Sequence, residues 1–255
     1  MATSTVTIMK SKAVMDSDEH LQESGEALAE LRLLHLADSS LPIGALAHSF
    51  GLESLVSAGL LRTSDLPEFL RGFLEEAGMV EAVFCREAFR LARLGLGHLC
   101  ADRWVEINDR LSVLKPARES REGSASLGRN FLGTVAGLGD FALLREALQA
   151  SKQAGSSIHH SPAFGLTSGV VGLQESRSVL AYLHQTAASL VSACQRLLPL
   201  GQNEAARILW NLKPVIVSTA KRSAACALDD ASCFMPLLDW AAMEHPALET
   251  RLFIS

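Results

Sequence analysis

The sequence predicts an all-α protein: a single helical domain of roughly ten helices over residues 26–255, preceded by a flexible polar extension over 1–25. Three observations carry this expectation. Apolar residues return at steps of three and four through most of the chain, the period of a helix with one face on a core. Aromatic residues make up 5% of a chain that is 48% hydrophobic, which leaves the core to Leu, Ala and Val. The one β-prone run, Val215-Ile216-Val217, is three residues long beside Pro214 and too short to build a sheet.

Each element follows from a local pattern. Residues 1–25 mix Ser, Thr, Lys and Asp without a sustained period, the composition of a flexible segment. Leu28, Leu31 and Leu34 then recur at spacing three and stop at Asp38-Ser39-Ser40, a turn cluster. After Leu41-Pro42-Ile43-Gly44 a second helix runs to Gly59, a suitable C′ residue. The clearest helix starts at Asp65, with Glu68 placed to complete a capping box. Its stripe of Phe69, Phe73, Ala77, Val80, Phe84, Ala88 and Leu91 steps by 4, 4, 3, 4, 4 and 3 and keeps one face on a core. Trp104, Ile107, Leu111 and Leu114 form a second seam. Leu180, Leu183, Ala187, Leu190, Cys194 and Leu197 form a third, suited to near-antiparallel packing. Glycines interrupt helical stretches at Gly133 and Gly137 and at Gly165, Gly169 and Gly172. A helical Gly costs about 1 kcal/mol against Ala. Spaced mostly four apart, these share a face and admit a second backbone, either within the core or between subunits.

Composition narrows the function. The net charge is −5, and 17 of the 23 basic residues are Arg. An acidic chain with scattered Arg lacks the concentrated basic face of a nucleic-acid binder, whereas Arg suits protein–protein contacts. The five cysteines (Cys85, Cys100, Cys194, Cys226, Cys233) form no CxxC pair and read as reduced thiols in a reducing compartment. No secretory h-region opens the chain, and no apolar run approaches the ~20 residues of a membrane span. The expectation is a soluble cytoplasmic protein that engages no membrane. No Lys follows a Gly, so a P-loop is excluded, and G-x-G-x-x-G, H-E-x-x-H and G-x-S-x-G are likewise missing. No acid–base pair can be nominated, so neither an enzyme nor a resident cofactor is indicated.

What remains are polar clusters beside Gly or Pro. His159-His160-Ser161-Pro162 reads as a structural loop or, through its imidazoles, as a nickel, zinc or copper contact. His48-Ser49 reads as a hydrogen-bond cluster at a helix start or as an exposed recognition edge. Arg196, just before Pro199-Leu200-Gly201-Gln202, either satisfies helix-terminal carbonyls or offers a charge to a partner. The terminus carries Leu252, Phe253 and Ile254 beside Arg251, and an apolar chain end is expected to dock, on its own core or on another protein.

Together these clusters resemble the UreF-type urease accessory proteins. Leu41-Pro42-Ile43-Gly44 through Ser49-Phe50-Gly51-Leu52-Glu53 is similar to that family's L-P-x-G-x-x-x-x-S-x-G-L-E signature. His160-Ser161-Pro162-Ala163-Phe164-Gly165 resembles its H-x-P-x-x-G segment, Arg196-Leu197-Leu198-Pro199-Leu200-Gly201-Gln202 its R-L-x-P-L-G-Q stretch, and Arg251-Leu252-Phe253-Ile254-Ser255 its R-L-F-x-S terminus. The chain departs from the family pattern at Ala47-His48 and Phe50, and at Glu244-His245-Pro246, where Arg-His-Glu is usual.

The resemblance implies an all-helical, non-catalytic homodimer that bridges a UreD/UreH-type scaffold and a UreG-type GTPase. That complex docks on apo-urease for GTP-dependent nickel insertion, with carbon dioxide supplied for the active-site carbamate. It places Arg251, Leu252, Phe253 and Ser255 in a terminal segment that orders on the scaffold, and Arg196 and Gln202 near the dimer and GTPase-facing region. It gives His48, Ser49 and Glu53, with Pro42, Gly44 and Gly51, a structural or partner role in the signature. Arg251 as a phosphate-stabilising finger for the GTPase and a direct nickel carrier built on the surface histidines His48, His159 and His160 stand as alternatives.

Overall fold

The computed structural model describes residues 24–94 and 97–254, and among these every regular element is helical. In chain order they are α1 (24–36), α2 (Leu52–Ser57), α3 (Leu66–Glu75), α4 (Ala77–Leu94), α5 (Ala101–Val113), α6 (Arg118–Ala136), α7 (Ala142–Ala154), α8 (His160–Val170), α9 (Glu175–Leu197), α10 (Gln202–Asn211), α11 (Lys213–Ser223) and α12 (Pro236–Glu244). Short 3₁₀ turns sit at Ala45–Ala47, Thr63–Asp65, Leu228–Asp230 and His245–Ala247. The expected all-α class is therefore what the chain adopts. No described helix is long and apolar enough to cross a membrane.

The core is organised around α8. Every residue from Ser161 to Gly169 is buried, so this helix is surrounded on all sides, by α4, α6, α7 and α9. Two of the predicted glycines make this possible. A Cβ on Gly165 would run into the Cys85 carbonyl of α4, and one on Gly169 would stand 2.8 Å from the Phe89 carbonyl oxygen. Of the two readings of these glycines, packing within the core holds for this pair. Gly133 is exposed and a Cβ there would meet nothing, while Gly172 forms a turn at φ +79°. Gly128, which the periodicity did not single out, matters as much: its missing Cβ lets the Ile158 and His159 backbone lie directly on α6.

Three expectations change in detail. The long stripe from Phe69 to Leu91 is not one helix: the chain turns at Glu76 (φ −104°, ψ −83°), so that α3 packs on α11 while α4 packs on α8. The Asp65 capping box is replaced by a 3₁₀ turn, in which the Asp65 carboxylate accepts the Arg62 N–H at 3.1 Å and Glu68 lies exposed. Residues 24–36 are helical as the spacing predicts, but Ala29, Leu33 and the buried Leu36 form the packed face, while Leu28, Leu31 and Leu34 point outward, from 47% to 69% exposed. Residues 24 and 25, assigned to the polar extension, belong to this helix; the rest of the extension lies outside the described residues.

Candidate functional site

Three of the four sequence clusters meet at one place. Glu53 sits at the start of α2, where Gly51 (φ +92°) turns the chain and the buried Ser49 Oγ accepts the Glu53 N–H at a long 3.5 Å. His48-Ser49 is thus a helix-start cluster, with the His48 ring half-buried and stacked on Phe50 at 5.7 Å. The Glu53 carboxylate is 7% exposed, and it accepts the backbone N–H of Leu252 at 2.6 Å and of Phe253 at 3.1 Å. It also faces His245 Nε2 at 2.8 Å, while the other nitrogen of that fully buried ring faces Glu119 of α6 at 2.6 Å. Arg251 lies 3.7 Å from the other oxygen of Glu119. Burial works against ionisation of Glu53, but the Leu252 N–H, His245 and the Phe253 N–H outweigh it and hold its pKa below the usual carboxylate value.

The C-terminal segment is therefore docked on its own core. Phe253 is buried, with the Arg196 guanidinium 4.2 Å over its ring. Arg196 Nη1 donates to the Leu46 carbonyl at 2.7 Å, and the Ile254 N–H to the Ala47 carbonyl at 2.8 Å. Neither reading of Arg196 anticipated this: the carbonyl it satisfies belongs to the signature loop, not to a helix end. Leu252 and Ile254 project outward, 52% and 69% exposed, as do Arg251 and Leu46. The departures from the family pattern at Glu244 and Pro246 fall on exposed positions that flank the buried His245. Gln202 opens α10 on an exposed face, and among the described residues no hydrogen bond or ion pair joins it to this cluster. Ser255 lies outside the described residues.

His159 and His160 are not surface histidines, which corrects the sequence reading. His159 is fully buried at the N-cap of α8; its ring nitrogens meet Ser112 at 2.7 Å and Ser124 at 3.1 Å, and its N–H reaches Asn108 at 2.8 Å. Burial and then the nearby Lys115 cation push its pKa down to about 3. His160 points elsewhere, into Phe131, Phe164 and Tyr182 at 5.3–6.4 Å, and burial lowers it to about 4. His159 cannot serve as a surface nickel ligand without unpacking α8, His160 turns its ring toward a cavity lining and not toward the outer surface, and among the described residues no group of three or more His, Cys, Asp or Glu is placed to hold a metal ion.

Beside His160 lies a cavity of about 130 Å³. Its deepest charge is Glu81, bound by Lys115, by the Ser161 hydroxyl and by the Tyr182 hydroxyl at 3.2 Å. Burial opposes the Glu81 charge, but the Lys115 cation and these donors keep its pKa low. No sequence motif marked Glu81 or Lys115, because they come together only across 34 residues of chain.

The chain is similar in sequence to known proteins over most of its length. The UreF family model matches residues 61–213, more than half of the chain. The chain belongs to the UreF family. A urease accessory protein UreF from Rhodopseudomonas palustris (strain BisA53) is 32% identical over 231 residues, covering 90% of this chain and 94% of that protein. The UreF of Corynebacterium glutamicum (strain R) is 32% identical, covering 89% and 98%, and that of a Nostoc species is 31% identical, covering 88% and 95%. The segment matched to the UreF model contains Glu119 and Arg196, while Glu53, His245 and the terminal segment lie on either side of it.

Proposed function

We propose that this UreF-family chain is a non-catalytic assembly subunit that bridges a UreD/UreH-type scaffold and a UreG-type GTPase on apo-urease during nickel insertion, and that it works as a homodimer in the cytoplasm. The observation that supports this reading best is the clasped terminus. Its backbone is spent on Glu53 and Ala47, while Arg251, Leu252 and Ile254 face outward beside Leu46. Exposed aliphatic side chains beside an Arg, held on a rigid base, are what a protein partner can desolvate. The outer face of α12 adds Leu237, Trp240 and Met243, each 43% or more exposed, and Phe234 just before it. The stretch 224–250 carries Asp229, Asp230, Asp239, Glu244 and Glu249 with no Lys or Arg, so the scaffold should meet it with a basic-rimmed apolar surface.

The test is co-expression of the chain's own urease operon, with and without the chain, at limiting nickel. Urease activity should collapse without the chain and stay low with Arg251→Ala, and affinity purification should then lose the complex of scaffold and GTPase. Activity indifferent to the chain would defeat this reading. Light scattering of the purified chain reads the homodimer.

A further inference from the structure

The cavity beside His160 has a firm inner side and two less buried walls. Glu81, Tyr182, Gln185 and Leu190 are buried on the inner side, while half of the half-buried lining comes from residues 45–50 and 233–239 and the rest from α4, α8, α9 and the stretch 114–120. His160 Nε2 and Gln185 Oε1, both in residues that line it, are buried without a hydrogen-bond partner in the protein. Left dry, each forfeits its hydrogen bonds; water or a small solute in the cavity supplies them. His160 is neutral over the physiological range, because burial holds it near 4. Gln185 carries no charge and Glu81 is already paired with Lys115, while Asp239 adds a half-buried carboxylate to the outer wall, so the guest this lining suits is a small molecule that hydrogen-bonds and is not an anion.

Both outer walls hang on the terminal clasp. The 45–50 wall is tied down through its carbonyls, by Arg196 on Leu46 and by the Ile254 N–H on Ala47. It also stores strain: Phe50, which lines the cavity, has φ +52°, a conformation a bulky L-residue keeps only when its surroundings impose it. The opposite wall, the start of α12, is held where a Cβ on Gly51 would stand 3.1 Å from the Leu238 carbonyl oxygen, and by His245 on Glu53. Glu53 thus joins one wall through His245 and the other through Leu252 and Phe253.

We propose that the C-terminal segment 251–254 is the latch of this partly enclosed cavity: seated on Glu53 and Ala47 it holds the 45–50 wall in place and keeps the mouth narrow, and when it lifts, that wall relaxes and the mouth widens to small polar solutes. This goes beyond the assembly reading and stands independently of it, since the latch requires no partner.

The chain contains its own reporters. Cys233 lines the cavity, half-buried, and its thiol is pushed up to about 11, first by burial and then by Asp239. Cys85 and Cys194 are buried in the core and Cys100 is exposed. Iodoacetamide labelling mapped by mass spectrometry should be slow at Cys233 in the intact chain. Removal of residues 251–255 should raise that rate at least tenfold, with Cys100 unchanged and Cys85 and Cys194 still protected. An unchanged Cys233 rate in a truncated chain whose core thiols stay protected overturns the proposal. Where truncation exposes Cys85 and Cys194 as well, the chain has unfolded and Arg196→Ala decides by the same readout. That substitution breaks only the Leu46 and Phe253 contacts. Faster Cys233 labelling upholds the latch, and an unchanged rate rejects it.

Discussion

Glu53 has more asked of its side chain than any other residue of the site, and its removal should be felt accordingly. One buried carboxylate satisfies two backbone N–H groups and one face of a buried imidazole. Glu53→Ala leaves all three unpaired, and breaking one member of a buried charged network typically costs about 3–5 kcal/mol; urea unfolding should show a loss of that size. The pH dependence has a defined sign. The folded-state pKa of Glu53 lies below its unfolded value of 4.5. Its stabilisation is therefore complete above that value and is lost as pH falls through the folded pKa. Glu53→Gln keeps the shape without the charge, so the acid limb of the stability profile should be shallower in that variant than in the wild type.

At the scale of elements, the glycines separate what the sequence made legible from what it did not. The i, i+4 spacing of Gly165 and Gly169 pointed to a close helix pair, and α8 on α4 is that pair. Gly133 has no such neighbour within the chain, because spacing on one helix says nothing of what stands opposite. Gly165→Ala should destabilise by about 1–3 kcal/mol or more, since two backbones must part to admit the methyl. Gly133→Ala, with nothing within 4 Å of the new Cβ, should be neutral or gain about 0.5–1 kcal/mol from helix propensity. Thermal melts of the two variants should move in opposite directions. The helices themselves were readable because period and composition are local. The break at Glu76 was not, because the stripe runs across it without a change of period, and the turn appears only in the fold, where α11 lies against both helices and α8 packs mainly on α4. The outward leucines of α1 mislead for a related reason: spacing three fits a helix whichever face is buried. Arg86 is another element-scale joint that no motif announced. Its buried guanidinium binds Glu175 at 2.7 Å, Ser223 Oγ at 2.9 Å and the Ala220 carbonyl at 2.6 Å, fastening α4 to α9 and α11. Arg86→Ala should cost about 3 kcal/mol or more by stranding those partners.

For the whole molecule, the informative fact is that motifs 150 to 200 residues apart in sequence close on one another. The signature, the Arg196 stretch and the terminus could be recognised separately, but their convergence on Glu53 needed the fold. Glu119, which completes the clasp, belongs to none of the motifs, and His245 is the one position of Glu244-His245-Pro246 that keeps the family pattern. The pairing of the terminal segment also separates holding from presenting. Leu252 faces out, Phe253 in and Ile254 out, across a bend at Leu252 and Phe253 that turns both of their N–H groups onto Glu53. All three contribute their backbone N–H to the clasp, which a side-chain substitution leaves in place. Leu252→Asp with Ile254→Asp should therefore leave unfolding stability within about 0.5 kcal/mol of wild type. The same variant should weaken capture of the urease-assembly partners by ten- to a hundredfold, about 1.4–2.7 kcal/mol of binding energy. Phe253→Ala should lose about 3 kcal/mol of stability together with binding, because its ring is core. Urea unfolding and a quantitative pull-down on the same three proteins read both axes. Should the double Asp variant capture partners as well as wild type does, the outward face of the terminus is not the contact, and the apolar outer stripe of α12 becomes the surface to mutate next.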